Sequence, residues 1–567
     1  MSHSTGVDPA TGKDPATGKA PATGHEPATG HGNGSQVVAG RTVRDAALEV
    51  MRRHGLTTIF GNPGSTEIAF LTDLPADLRF VLGLHEGSVV GMASGYALAR
   101  GEAAFVNLHT AAGLGNAINA IANARDCRAP LVILVGQQDR RQIAFEPFLT
   151  GRQLERLAGE YPVWRHLPSR AQDVPGAIAR AYHEAMAARG PALVVVPMGD
   201  WLEPADELAA GAPARVLRPH SVAGPEVEEL AGLLEGAQAP ALVVGAPKGE
   251  DWDAVVALAE RLHCPVWQEP FSRRVGFPQD HPLFAGHLAW QRRLMRDSLA
   301  RYDVVLTVGT NAFRAYLFDE PVALVEPSTR VAVLTADPAE AHRSPCELAV
   351  VAPVGAACRA LAELLPERPT GNPPEPVRRP APLPAPAAGE PLRPGHVLDA
   401  LAERLPEDVL LVEECPSSQP ELYRRIPVRV PFGFLSTANG CLGFGLAGSI
   451  GVRMGLPDRP VVAVLGDGST MYAIQALWSA ARYDVGVLLV VLANGRYAVM
   501  DGLARRVGGA AAWPGFESVD IGGMARALGC PSVRVQTHSQ LIQTLDDVLP
   551  DLAARGEPLL VEAVVGE

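Results

Sequence analysis

The residues best placed to do chemistry lie in the C-terminal third of the chain. The apolar run 461–465 stops at Gly466-Asp467-Gly468-Ser469, and the run 487–493 stops at Asn494-Gly495. Asp467 and Asn494 are 27 residues apart, each closing an apolar segment. In an open α/β sheet, ligands bind beyond the C-terminal ends of the strands. A carboxylate and a carboxamide on neighbouring strand ends, with a main-chain carbonyl, offer oxygens to a hard cation, and Mg²⁺ held together with a diphosphate suits that set. Gly468 lets a ligand approach the backbone, and the N–H groups of the next helix start can hold phosphate. Gly-Asp-Gly alone reads as a turn. A second strand closing on Asn-Gly is what favours the site.

Four other positions carry chemistry-bearing types where a strand passes into a helix. Residues 60–65 read FGNPGS and end at Ser65. Glu86 stands in GLHEGSVVGMASGYA, and His109 opens the Gly-rich HTAAGLGN. Leu442, in NGCLGFG, directly precedes another helix. In isolation these would be an exposed glutamate, a packed histidine, a turn serine and a core leucine. His85 reads as a structural neighbour, and Cys415 and Cys441 as packing residues.

Together the motifs resemble the thiamine-diphosphate (ThDP) enzymes. FGNPGS, VNLHTAAGLGNA, VGQQ, CLGFGLAGSIGV and GDGSTMYAIQALWSAARY resemble benzoylformate decarboxylases, from about residue 42 to 565. The resemblance implies that Glu86 hydrogen-bonds the aminopyrimidine and favours the tautomer that deprotonates the thiazolium carbon. Leu442 would wedge under the bent cofactor. Asp467, Asn494 and the Arg496 carbonyl would hold Mg²⁺, with Gly466, Gly468, Ser469 and Ser417 around the diphosphate. His109 would relay protons to the adduct, and Ser65 would hydrogen-bond the substrate. The implied reaction is non-oxidative decarboxylation of an aryl or bulky aliphatic 2-oxo acid to an aldehyde. The alternative is a carboligase that passes the acyl anion to a second carbonyl. Homo-oligomers follow too, a dimer at least and a dimer of dimers by expectation, with each site shared between subunits.

The sequence departs from that family in several places. A histidine in a segment like FRYHQYDP is replaced by Tyr316. A phenol, with a pKa near 10, is a poor proton shuttle at neutral pH. Cys415-Pro416-Ser417 keeps one of two usual hydroxyls, and Arg496 stands where a small residue is usual. Leu503 replaces an aromatic pocket residue; Val499, Met500, Phe148 and Leu149 complete an apolar pocket of altered shape.

These groups need a scaffold of strands followed by helices. Continuous apolar strands such as PLVILVG and PALVVVP, alternating with helical segments, indicate stacked βαβ units and parallel sheets. Helices are expected from Thr42 as cap to about His54, over 87–100 and over 113–125. The layout is α/β with three doubly wound domains: 37–205, expected to bind the pyrimidine; 218–365, a central Rossmann-like domain; and 395–567, expected to bind diphosphate and metal. A Pro-rich spacer covers 366–394. Residues 1–36, with PATG at 9, 15, 21 and 27, read as a disordered tail. Gly245-Ala-Pro-Lys-Gly249 lacks the dinucleotide fingerprint, so the central domain is expected to be structural only.

Composition agrees. The 567 residues, 47% hydrophobic and 20% charged, can fill several cores. The 49 basic against 62 acidic residues give −13, which argues against nucleic acid as a partner. No apolar run reaches the roughly 20 residues of a membrane span. Seven scattered cysteines without C-x-x-C fit a reducing cytoplasm better than a disulfide scaffold or a zinc site.

Overall fold

The long apolar runs become strands buried on both faces. β1 (Thr58–Asn62), β2 (Arg79–Leu82), β3 (Ala104–Leu108), β4 (Leu131–Gln137), β5 (Trp164–His166) and β6 (Pro191–Pro197) form one sheet, in the order β2-β1-β3-β4-β6-β5. Every residue of β3, β4 and β6 is buried. Helices on both faces leave no wet side, so these strands show no polar alternation. This computed structural model describes residues 40–206, 216, 222, 224–246, 249–318, 320–368, 375, 377–387 and 389–566. The PATG tail and parts of the Pro-rich segment lie outside the described residues.

β7 (Pro240–Val244), β8 (Val266–Gln268), β9 (Phe284–His287), β10 (Val304–Val308), β11 (Arg330–Thr335) and β12 (Leu348–Val351) form the second sheet, ordered β12-β11-β10-β7-β8-β9. Read from the other edge this is 3-2-1-4-5-6, the doubly wound order of dinucleotide folds. The third sheet, β14-β13-β15-β16-β18-β17, repeats the order of the first. Its strands are β13 (Leu410–Glu414), β14 (Phe434–Ser436), β15 (Val461–Gly466), β16 (Leu488–Ala493), β17 (Ser532–Val535) and β18 (Leu559–Val564). All pairings between these strands are parallel.

One apolar cluster runs through the first and third sheets together, including Phe60, Val106, Leu131, Val412, Ala463 and Leu489. The seam is a helix pair, Glu86–Arg100 against Phe444–Gly455. Gly91 faces Ala447, Gly95 faces Gly448 and Gly455 faces Ala99, so the two helices run in the same direction. They touch backbone to backbone: a Cβ on Gly95 would lie 2.0 Å from the Gly448 carbonyl oxygen, and one on Gly451 1.8 Å from that of Met92. The same seam supports the edge strand β2. Leu82 N–H donates to Tyr483 Oη at 2.8 Å, and Ser479 Oγ donates to the Leu82 carbonyl at 2.8 Å. Side chains of the third unit thus occupy backbone groups that an edge strand would leave open.

The first helix covers Val43–Arg53, with a Thr42–Asp45 capping box. The helix expected over 113–125 is longer, Thr110–Asp126, because His109 itself takes the N-cap position at the end of β3. The described part of the Pro-rich segment is docked and does not act as a free spacer. Arg379 donates to the Gln279 carbonyl at 3.0 Å, and Leu383 N–H donates to Asp399 at 2.8 Å.

Candidate active site

Glu86 is the first residue of its helix, and His85 caps it by accepting from Gly87 N–H at 3.0 Å. The Glu86 carboxylate is buried between two amides: Asn62, closing β1, donates at 3.1 Å, and Asn116 donates at 3.0 Å. A helix N-terminus favours negative charge. The result is a fixed acceptor at the C-terminal edge of the first sheet.

His109 directly follows β3, its ring turned onto a buried carboxylate that the sequence did not single out. Its Nδ1 lies 3.1 Å from Glu67 Oε2 and 3.0 Å from Thr66 Oγ1. The Glu67 side chain is fully buried; it also accepts from Gly64 N–H at 2.7 Å and from the Thr66 hydroxyl. The space exists because Gly64 and Gly136 lack side chains. A Cβ on Gly64 would lie 2.3 Å from the His109 ring, and one on Gly136 1.8 Å from Glu67 Oε1. A carboxylate facing Nδ1 holds the proton there and leaves Nε2 as the acceptor. Ser65, the neighbour of this pair, is exposed. Only half of a capping box is present, since Gly64 N–H donates to Glu67 but glycine has no side chain to accept in return, so no sequence motif singled out Glu67.

In the third sheet, Asp467 directly follows β15 and Asn494 directly follows β16, side by side. Asp467 accepts from Gly468 N–H at 2.7 Å and Gly495 N–H at 2.6 Å. Burial raises its pKa against the pull of these donors, an arrangement that a bound cation would relieve. Asn494 Oδ1 accepts from Arg496 N–H at 3.1 Å. Ser469 is buried one turn into the Asp467–Met471 helix. Tyr497, also missed, covers this turn: a Cβ on Gly468 would meet its ring at 2.6 Å. Ser417 Oγ accepts from Val499 N–H at 3.1 Å, which ties the end of β13 to the Ala498–Arg506 helix and leaves its own proton to donate. Among the described residues no three His, Cys, Asp or Glu side chains gather at a metal-binding spacing. A cation here would use one carboxylate, one carboxamide and a carbonyl, as Mg²⁺ bound with a diphosphate does.

The expected pocket residues divide between two places. Val499, Met500 and Leu503 lie on the Ala498–Arg506 helix, none of whose residues is buried. The Arg506 guanidinium lies 5.4 Å over the Trp290 ring, and Trp290 meets Tyr316 edge-on at 5.6 Å, so Tyr316 and this helix approach one locality. Tyr316 also packs edge-on against Phe271. Phe148 is 88% exposed beside Leu149, on a loop held by hydrogen bonds between Gln137 and Gly151. Leu442 joins the two sheets, since its carbonyl accepts from Asn119 at 3.0 Å.

These two strand-end clusters match the two cofactor-binding domains of one family. The N-terminal TPP binding domain of thiamine pyrophosphate enzymes matches residues 41–160, their central domain 227–361 and their C-terminal TPP binding domain 417–563. The chain belongs to the thiamine pyrophosphate enzymes. Among its relatives, the benzoylformate decarboxylase of Pseudomonas aeruginosa is 38% identical over 533 residues, 92% of this chain and 98% of that protein. The 4-hydroxybenzoylformate decarboxylase structure from Rhodococcus jostii RHA1 superimposes with a TM-score of 0.88 at 35% identity, covering 93% of this chain and 99% of that one. The benzoylformate decarboxylase structure from Polynucleobacter necessarius gives 0.88 at 30% identity, covering 93% and 98%. No described helix is long and apolar enough to cross a membrane.

Proposed function

We propose that this chain is a ThDP- and Mg²⁺-dependent decarboxylase of 2-oxo acids bearing an aryl or bulky apolar group, releasing CO₂ and an aldehyde. The supporting observation is that the groups able to hold and use the cofactor stand at strand ends in both domains that match the family. Asp467, Asn494 and the Arg496 carbonyl would hold Mg²⁺. Gly466, Gly468, Ser469 and Ser417 would surround the diphosphate, and Leu442 would support the bent cofactor. When bound, ThDP supplies the electron sink for the pair left by CO₂ loss. Glu86, clamped by Asn62 and Asn116, holds a proton at a ring nitrogen of the pyrimidine. His109 Nε2, its tautomer set by Glu67, moves the proton that completes the aldehyde. Ser65 hydrogen-bonds the substrate carboxylate. Tyr316, Val499, Met500 and Leu503 would form one apolar wall, and Phe148 and Leu149, on a separate loop, another.

Acyl transfer to a second carbonyl has less support: the benzoylformate-type decarboxylases are 30–38% identical to this chain, whereas an acetolactate synthase-like large subunit and a sulfoacetaldehyde acetyltransferase that cover 90% and 93% of it are 28% and 27% identical. A second copy of the chain would cover the apolar surface that includes Phe145 and Phe148, 85% and 88% exposed. We infer a homodimer or a dimer of dimers on that ground.

The test is product analysis with purified protein, Mg²⁺ and ThDP, offering benzoylformate, 4-hydroxybenzoylformate, a branched aliphatic 2-oxo acid and pyruvate. Equal amounts of CO₂ and aldehyde from the bulky acids support the reading. A hydroxyketone in place of aldehyde would make the enzyme a carboligase, and no CO₂ from any acid would refute decarboxylation.

A further inference from the structure

The peptide unit joining Leu442 to Gly443 is hydrogen-bonded at both ends by side chains from opposite domains. Its carbonyl accepts from Asn119 Nδ2 at 3.0 Å, and its N–H donates to Glu414 Oε1 at 2.7 Å. The second Glu414 oxygen accepts from Gly445 N–H at 2.5 Å. Glu414 closes β13, is fully buried and occupies the N-terminus of the Phe444–Gly455 helix, where backbone N–H groups otherwise lack partners. The chain is drawn tightly around this carboxyl: a Cβ on Gly445 would sit 2.6 Å from Glu414 Cβ. Gly443 adopts φ +101°, a conformation that side chains resist. Asn119 lies three residues beyond Asn116, the amide that holds Glu86, so one face of the Thr110–Asp126 helix serves both groups.

We infer that Glu414 and Asn119 are positioning residues that clamp the Leu442–Gly443 peptide and thereby aim the Leu442 side chain on which the cofactor rests. The inference depends on the ThDP reading above. A carboxylate that only capped the helix would leave Asn119 without a part to play. The double clamp instead fixes one peptide plane, and with it the direction in which Leu442 leaves the backbone. Neither residue touches substrate or cofactor in this role.

The experiment strips the full-length protein of cofactor and titrates it with ThDP at constant Mg²⁺, following tryptophan fluorescence and the near-ultraviolet circular dichroism of the bound cofactor. Burial pushes the Glu414 carboxyl up to about 8, so the titration is run at about pH 9, where most of the carboxyl is ionised. Asn119→Ala removes one clamp at an exposed position, and Glu414→Gln leaves one acceptor where two are used. Each should raise the ThDP dissociation constant roughly tenfold, the size of one lost charged or well-placed hydrogen bond, and should alter the dichroism band. In a Leu442→Ala background neither should add more than about twofold, since residues acting through one side chain are non-additive. Wild-type affinity and dichroism in Asn119→Ala, or full additivity with Leu442→Ala, would overturn the clamp. If Glu414→Gln does not fold, Asn119→Ala alone decides. Failure of the wild type to bind ThDP would instead refute the functional reading itself.

Discussion

Glu67→Gln isolates the charge behind His109 with little change of shape. Two donors, Gly64 N–H and His109 Nδ1–H, converge on Oε2, while the Thr66 hydroxyl donates to Oε1. A glutamine can place its carbonyl oxygen at the Oε2 position and keep both of those bonds. Its NH₂ then takes the Oε1 position and donates to Thr66, whose hydroxyl reverses from donor to acceptor. What is lost is the negative charge facing Nδ1. Hydrogen bonds to charged groups contribute about 1.5–3 kcal/mol and neutral ones about 0.5–1.5 kcal/mol, so the imidazolium state of His109 loses about 1–2 kcal/mol. That corresponds to roughly a 5- to 30-fold fall in kcat at a step where His109 carries the proton. The thermal midpoint should fall as well, because the Thr66 proton loses Oε1 as its acceptor and one N–H of the new amide is left without a partner in a buried site; the double-variant comparison in kcat therefore carries the test. The assay is steady-state aldehyde formation from the best 2-oxo acid across pH 5.5–8.5, in single and double variants. In a His109→Ala background, Glu67→Gln should have no further effect on kcat. Wild-type kcat in Glu67→Gln, or a fall that multiplies with that of His109→Ala, would refute the argument that Glu67 acts through His109.

Further outcomes follow from other parts of the molecule. Asp467→Asn should abolish the thermal stabilisation that Mg²⁺ and ThDP give the wild type, a gain of about 2.7 kcal/mol at a hundredfold excess over Kd; differential scanning fluorimetry reads it directly. Gly95→Ala should destabilise by at least the 1–3 kcal/mol usual for overpacking, because its Cβ would strike the backbone of Gly448 and not a movable side chain; denaturant unfolding measures the loss. His287 is stacked on Tyr423 at 4.2 Å, and burial holds its pKa down to about 3. The unfolded chain, with an ordinary histidine, therefore binds the extra proton first. Stability from this group is complete above about 6.5 and declines as pH falls toward 3. The thermal midpoint of His287→Phe should accordingly fall less between pH 7 and 4 than that of the wild type.

Much of the fold was legible because burial on both faces writes itself into composition. Runs such as LVILVG and PALVVVP are apolar at every position, and the structure places each in a fully buried parallel strand. Asp467 and Asn494 could be picked out for a related reason. Each directly follows such a run, and neighbouring parallel strands in register bring their ends together. Glu86 stood out at a strand-to-helix passage, and it opens its helix in the structure. The start of the next helix was placed too late, since Thr110-Ala-Ala-Gly looks like loop until His109 is seen as its cap.

The partners of these residues were not legible. Glu67 lies 42 residues from His109, Asn116 lies 30 from Glu86, and Asn119 lies 323 from Leu442. Local propensity and apolar periodicity report which face of an element is buried. They do not report which side chain of another element meets it there. The amino-acid sequence by itself determined the elements, the parallel sheets and the strand ends where polar groups gather. Only the packing of sheets and helices decided that a buried carboxylate stands behind His109, that two amides grip Glu86, and that Asn119 and Glu414 hold one peptide between them. Hydrogen bonds act over about 3 Å, and such distances between remote residues exist only once the chain has closed on itself.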